Sequence, residues 1–426
     1  MNSRDRVLRS LSHQEPDRVP IDVGATGSSS LSAIAYAALR RELVLQDEVP
    51  YVPTPALFDI WQQLASIDST VLDRLHGDAR PVNRLHHNWW LPSLRLDQWK
   101  LGQLTDGTPA LVPLAFSPIR NGKFYELHNQ AGELVAKRGA TGLYYDHVGI
   151  YHPLQEARNP KELATLYRKV FPGASTVGEE DAAFVSSLAR KLRDTTEHAL
   201  VLQFGASAYE FGQYTRGYKQ WFLDIGQDKR KGMASCLTQL VQESALSRLQ
   251  VLLELLGDAI DIVTFVDDLG TQTGPQISPE TYRQLIKPVH QAWWSYVHES
   301  SQCRVFLHSC GSIFDLLPDM IDAGVDIINP VHINAHDMEP QRLKREFGKQ
   351  IVFWGGGCDT QHILPFGTPA EVEREVKSKI DAFAPGGGFV FATVHNVQPD
   401  IPPGRVLQVF DTAYEYGGSV YGCRSS

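Results

Sequence analysis

His308-Ser309-Cys310-Gly311 sets an imidazole and a thiol one residue apart. Imidazole nitrogen and thiolate sulfur are the donors that zinc takes most readily. The motif follows a short apolar run, Arg304-Val305-Phe306-Leu307, and precedes an amphipathic stretch, Ile313 to Ile321. That order reads as strand, tight turn and helix. Both donors then stand above the carboxyl end of one strand. Two donors do not make a site, so the rest of the chain must supply more.

The elements that would position them alternate. Strands are expected near residues 22, 200, 263, 306, 327, 352 and 391, with one further strand that the pattern does not locate. Helices are expected between them, among them 180–194, 229–256, 279–299, 369–383 and 404–416. The helix from Pro279 opens with Ser278 as its cap and proline at its first position. Alternation of this kind means parallel strands joined by crossover helices. About eight strands close a TIM (β/α)8 barrel. An open, doubly wound sheet is the alternative, but no Gly-x-Gly-x-x-Gly follows the first strand, so its dinucleotide-binding form is unsupported. Residues 81–152 break the rhythm. They are rich in Trp, Tyr, Gly and Asn, and runs such as Gly122–His128 and Gly132–Lys137 are divided by Asn121-Gly122 and Ala131-Gly132. This is a β-meander signature. It reads as a β-rich excursion over one mouth of the barrel, inside one domain of residues 1–426.

Barrel function sits at the carboxyl ends of the strands. Those ends carry Asp267 and Asp268, His308 and Cys310, Asn329, Cys358 after Gly355-Gly356-Gly357, and His395-Asn396. His308, Cys310, Cys358 and His395 are therefore the candidate metal ligands. Asp267, Asp268 and His395 are the candidates for proton transfer or ligand orientation. Tyr209, Asn329, Trp354 and Asn396 are the candidates for contact with substrate. Cys236, Cys303 and Cys423 read as inert buried thiols. The run His86-His87-Asn88-Trp89-Trp90 lies in the excursion and reads as a surface pair of histidines. Gly24 to Ser30 is small and polar, a loop or lid.

Composition bounds the partners. A hydrophobic fraction of 42% and a charged fraction of 21% suit an ordinary globular chain of 426 residues. A formal charge of -9 without any basic run argues against nucleic acid. No stretch approaches the roughly 18 apolar residues of a membrane helix, and Met1–Arg6 has no apolar core for a signal peptide. A cytoplasmic protein with reduced cysteines is expected, with neither a nucleic-acid nor a membrane partner.

The motifs, taken in order, resemble a known family. They are Arg6-Val7-Leu8, His13-Gln14-Glu15-Pro16-Asp17-Arg18-Val19-Pro20 and Asp267-Asp268-Leu269-Gly270-Thr271-Gln272. Ile277-Ser278-Pro279-Glu280, Lys287-Pro288, His308-Ser309-Cys310-Gly311, Trp354-Gly355-Gly356-Gly357 and His395-Asn396-Val397-Gln398 follow. The chain resembles the uroporphyrinogen decarboxylase superfamily, and within it the cobalamin-linked methyltransferases. The resemblance implies a TIM barrel. The decarboxylases hold tetrapyrrole carboxylates with an arginine-rich segment after the first strand. Here that segment is Val23-Gly24-Ala25-Thr26-Gly27-Ser28-Ser29, without the guanidinium that clamps carboxylates.

The methyltransferase branch implies zinc on a His-x-Cys and a later cysteine. His308 and Cys310 match the first part. Where those enzymes have Cys-Gly, this chain has His395-Asn396, so Cys358 or His395 would complete the site. The implied reaction moves a methyl group between a small methylated substrate, such as an aromatic methyl ether, and cobalamin carried by a partner corrinoid protein. Tetrahydrofolate is an open choice of acceptor, and pairing into a homodimer fits the family. Two alternatives stay open: a metal-free carboxy-lyase using Asp267 and Asp268, and a non-catalytic scaffold for a corrinoid protein.

Overall fold

Parallel strands joined in sequence order build the frame that carries these residues. The computed structural model describes residues 1–49, 54–85, 94–147 and 152–421. The His86–Trp90 run and Cys423 lie outside the described residues. One sheet holds seven strands: β1 (Ala79–Val82), β2 (Ala199–Ala206), β3 (Ile262–Val266), β4 (Arg304–His308), β5 (Ile327–Asn329), β6 (Val352–Trp354) and β7 (Phe389–Val390). All pair in parallel, each with its neighbour in sequence.

The eighth stave is a single bridge. Ile21 lies parallel to Phe391. Asp22 N–H donates to the Phe391 carbonyl at 2.8 Å, and Phe391 N–H to the Pro20 carbonyl at 2.8 Å. On the other side Asp78 N–H donates to the Ile21 carbonyl at 2.7 Å. The sheet thus closes as a TIM-type barrel. The strand that the sequence pattern did not locate is β1. Its four residues, Ala-Arg-Pro-Val, carry neither a β-branched run nor an alternating pattern.

Alternation decides what each strand offers. Val201, Ile262, Phe306, Ile327, Val352, Trp354 and Val390 fill the barrel interior. Leu202, Val263, Phe265, Val305, Leu307, Ile328, Phe353 and Phe389 pack outward under the helices. Successive side chains point to opposite faces of a strand. His308 therefore shares the inner face with Phe306, two residues earlier, and Asn329 shares it with Ile327.

Helix Ser3–Leu11 plugs the amino-terminal end, with Val7 and Leu11 in the interior cluster. Ser10 Oγ donates to the Phe389 carbonyl at 2.7 Å, and Arg6 pairs with Asp78 at 2.8 Å. The helix expected over 279–299 is interrupted by a π turn, Tyr282–Ile286. It lies just before Pro288, whose nitrogen has no proton for the preceding turn. Between β1 and β2 the pairing turns antiparallel. Trp99–Gln103 pairs with Pro109–Pro113, and Ile119–Asn121, Phe124–His128, Leu134–Gly139 and Asp146–His147 form a four-stranded sheet. Among the described residues, no helix is long and apolar enough to cross a membrane.

Two expectations about the interior need correcting. Trp354 is fully buried in the middle of the barrel rather than lining a substrate pocket. Its indole N–H donates to Asp22 Oδ2 at 2.7 Å, and its ring meets Phe306 edge to face at 5.5 Å. An indole this large fills barrel volume and still needs a polar partner for its N–H. Gly24–Ser30 is no lid, because Ala25, Ser28, Ser29 and Ser30 are buried.

The partner of Trp354 has a consequence for stability. Burial pushes the Asp22 carboxyl up from 3.8 to about 6. The folded chain then holds this proton more tightly than the unfolded chain. Its stabilising contribution is full below about pH 4 and is lost as pH rises through about 6, a span of about 3 kcal/mol. Unfolding free energies measured between pH 4 and 7 should fall more steeply in the wild type than in Asp22→Asn. Parallel pH profiles for the two proteins would refute this.

Candidate metal centre

His308 ends β4 on the inner face, and its ring is oriented before any ligand arrives. His308 Nδ1 lies 2.8 Å from Asn329 Oδ1. The Asn329 amide is itself fixed: its Nδ2 donates to the Trp354 carbonyl at 2.9 Å, and Ser28 Oγ donates to its Oδ1 at 2.6 Å. An amide oxygen only accepts, so His308 Nδ1 carries the proton. The lone pair of Nε2 is left facing the barrel mouth, with Cys310 Sγ 3.4 Å away.

Cys310 is placed by two glycines. A Cβ on Gly311, at φ +83°, would fall 2.5 Å from the Gly270 carbonyl carbon. A Cβ on Gly270 would fall 2.5 Å from the Cys310 carbonyl oxygen. Only glycine permits the loops after β3 and β4 to meet this closely. Ser312 N–H to the Thr271 carbonyl, at 2.7 Å, locks the approach. Cys310 N–H donates to Asp268 Oδ1, also at 2.7 Å.

His395 comes from the loop after β7, where Val394 N–H is held by the Cys358 carbonyl at 3.0 Å. Donor atoms of His308, Cys310 and His395 all lie within 4.8 Å of one another. The two imidazoles meet edge to face with centroids 5.9 Å apart. Nitrogen, sulfur and nitrogen, each partly exposed, form a three-donor set that suits zinc.

Charge around the cluster is acidic. Burial first, then Asp268 and Glu210, push the Cys310 thiol well above its ordinary range. Burial, with His308 beside it, brings His395 down to about 4. His395 is therefore a neutral donor near pH 7, while the thiol needs a cation to ionise. Glu210 is pushed up by burial, then by Asp268 and Asp267, and accepts from the Tyr214 hydroxyl at 3.0 Å. A divalent cation bound by the thiol would favour its thiolate form. The residues present fit a zinc ion.

Other sequence candidates stand elsewhere. Cys358 does not join the cluster. It is fully buried, and its thiol contacts Glu375 Oε2 at 3.5 Å. The run Gly355-Gly356-Gly357 carries it past the rim, so a cysteine close to a strand end still faces away from the mouth. Asp267 and Asp268 part company by alternation. Asp268 follows the inward Ile262 and Thr264 positions and lies 3.7 Å from His308 Nε2. Asp267 faces outward and is fully buried. Its carboxylate accepts from Ser207 Oγ and from the backbone N–H groups of Ala208, Tyr209 and Glu210, at 2.7–2.9 Å. It also accepts from His290 Nε2 at 2.9 Å, and His290 Nδ1 meets the Tyr282 hydroxyl at 3.0 Å. Asp267 is thus the anchor of helix Tyr209–Arg216, which carries Glu210 and Tyr214, and not a proton carrier in the mouth.

Tyr209, Asn329 and Asn396 are buried rather than presented to a substrate. Tyr209 packs against Trp221. Asn329 serves His308. Asn396 adjoins His395 and hydrogen-bonds Gln62, Tyr144 and Gln398. Sequence reasoning missed Glu210, although its place just after β2 was a usable signal. It also missed Ser28, Gln62, Tyr144 and Tyr214, which carry no metal-ligand or strand-end pattern.

The chain matches known proteins in two ways. Residues 206–416 match the family model described as Uroporphyrinogen decarboxylase (URO-D). Over 60 residues, 14% of this chain, it is 50% identical to the uroporphyrinogen decarboxylase of Sodalis glossinidius (strain morsitans). That match spans only 16% of the relative's length. The solved structure of a methyltransferase from Methanosarcina mazei superposes with a TM-score of 0.55 at 14% identity, covering 98% of this chain and 99% of that one. The likeness is one of fold and runs over nearly the full length of both chains.

Removing the anchor should be costly. Asp267→Ala strands four donors and a buried histidine without an acceptor, a loss of about 3–5 kcal/mol by analogy with broken buried pairs. Denaturant unfolding measures it. A loss below about 1 kcal/mol would mean that the carboxylate does not anchor the helix.

Proposed function

We propose that this protein is a zinc-dependent methyltransferase, moving a methyl group between a small methylated substrate and a corrinoid carried by a partner protein, or tetrahydrofolate. The observation that carries this reading is the convergence of His308, Cys310 and His395 within 4.8 Å at the barrel mouth. The URO-D match over residues 206–416 and the barrel shared with a Methanosarcina mazei methyltransferase support it.

His308 Nε2, Cys310 Sγ and His395 would hold the ion. Bound there, zinc would supply Lewis acidity toward the oxygen or sulfur from which the methyl group departs. The chain's own groups have separable tasks. Asn329 keeps His308 in the tautomer that offers Nε2. Asp268 holds the Cys310 backbone at 2.7 Å and so sets where the sulfur stands. Glu210, kept protonated by burial and by Asp268, is the group that would give a proton to a departing alkoxide or phenoxide. The Tyr214 hydroxyl holds Glu210 in place. A metal-free carboxy-lyase using both aspartates has less support, because Asp267 points away from the mouth.

Metal analysis tests the reading. Wild type should carry about one zinc per chain, with the three donors leaving one position open. His308→Ala, Cys310→Ala and His395→Ala should each lose most of it, and Cys358→Ala should retain it. Uptake requires the thiolate of a thiol that burial holds protonated. It should therefore release a proton and weaken as pH falls. Stoichiometric zinc that survives all three ligand substitutions would end the proposal. Loss of methyl transfer from a methoxylated aromatic to cob(I)alamin in the same variants would connect the metal to turnover.

A further inference from the structure

The third donor is the least supported by its own strand. His308 and Cys310 sit on β4 and a glycine-locked turn, but His395 stands in a loop beyond β7. What holds it comes largely from outside the barrel. Asn396, the next residue along the chain, is gripped from two sides. Its Nδ2 donates to Gln62 Oε1 at 2.6 Å. Its Oδ1 accepts from the Tyr144 hydroxyl at 3.2 Å and from Gln398 Nε2. Gln398 Nε2 also donates to the Tyr144 oxygen at 2.7 Å.

Tyr144 and Gln62 belong to segments that join each other before they reach the loop. Tyr145 N–H donates to the Trp61 carbonyl at 2.8 Å, and Gln63 Nε2 to the Leu143 carbonyl at 2.7 Å. Tyr144 lies just before the last strand of the four-stranded antiparallel sheet, Asp146–His147. Its phenol is partly buried.

We infer that Tyr144 is a positioning residue of the metal centre: through Asn396, the antiparallel segment between β1 and β2 sets the orientation of His395. The inference rests on the zinc reading above, since it assigns the control of one of its ligands. Asn329 fixes His308 by a direct hydrogen bond, whereas Asn396 fixes the loop position next to His395. The two asparagines also differ in what holds them. Asn329 is held by barrel groups, Trp354 and Ser28. Asn396 is held by a phenol and an amide that the barrel does not contain.

Cobalt(II) is the probe, because its visible spectrum reports the ligand set and symmetry of a sulfur- and nitrogen-bound ion. Cobalt affinity and spectrum are compared in wild type, Tyr144→Phe, Gln62→Leu and Asn396→Ala. Tyr125→Phe, in the same antiparallel sheet and outside this network, is the control. Partners that orient metal ligands typically change affinity about 10- to 100-fold. Tyr144→Phe should weaken cobalt binding by about that factor and shift the visible bands in the direction of Asn396→Ala, with an unfolding midpoint near that of Tyr125→Phe. If Tyr144→Phe proves unfolded, Gln62→Leu provides the same reading from the other side of the amide. Wild-type affinity and spectrum in the folded Tyr144 or Gln62 variant would overturn the positioning role alone. Failure of the wild type to take up cobalt would overturn the metal reading, and this inference with it.

Discussion

Asn329 is the joint on which the mouth of this barrel depends. One carboxamide receives His308 Nδ1 and Ser28 Oγ and donates to the Trp354 carbonyl. It thereby ties the loop after the first stave to the ends of β4, β5 and β6. Its oxygen is the reason His308 presents an unprotonated Nε2. A buried amide with every hydrogen-bonding group engaged has one orientation, and the imidazole inherits it. Below it, Trp354 fills the barrel and reaches Asp22, so the floor of the site is packed and polar groups there are paired.

Above that joint, the two-residue period of the strands distributes chemistry. Asp267 and Asp268 are neighbours in sequence with opposite fates. The inner one stands against Cys310 and His308. The outer one caps helix Tyr209–Arg216 and pairs with His290. The cap is functional at one remove, because the helix it anchors brings Glu210 and Tyr214 to the cluster. A shift of one residue in the register of β3 would exchange these roles and place the helix anchor in the mouth.

Electrostatics give the site its character. Cys310, Glu210 and Asp268 crowd together, with burial raising the first two. Such a cluster is costly unless a cation joins it or protons stay on. The same crowding that makes room for a divalent ion keeps a protonated acid beside it, and this combination suits the departure of a methyl group from oxygen. The second imidazole, His395, stands in a loop beyond β7 that is clasped by Tyr144 from the segment between β1 and β2 and by Gln62 from the turn before β1.

Local pattern sufficed for a good part of this. Alternating strands and helices determined the barrel, and the strand-end rule singled out His308, Cys310, Asp268 and His395. Each of these is a property of a few adjacent residues, so it survives reading one residue at a time. What required tertiary structure was choice and orientation. Cys358 and His395 looked alike as completing ligands, and only the path of the chain after Gly357 turned Cys358 toward Glu375. Asn329 and Asn396 read as groups for a substrate, and only the packed rim shows one holding His308 and the other clasped beside His395. The strand Ala79–Val82 lacked a pattern of its own and is held by neighbours on both sides. Tyr144 stands 252 residues from Asn396 in the chain, a distance at which no spacing rule operates. Sequence determines which donors exist. Three-dimensional closure decides which of them meet, because hydrogen bonds and charges act through a few ångströms of space and not along the chain.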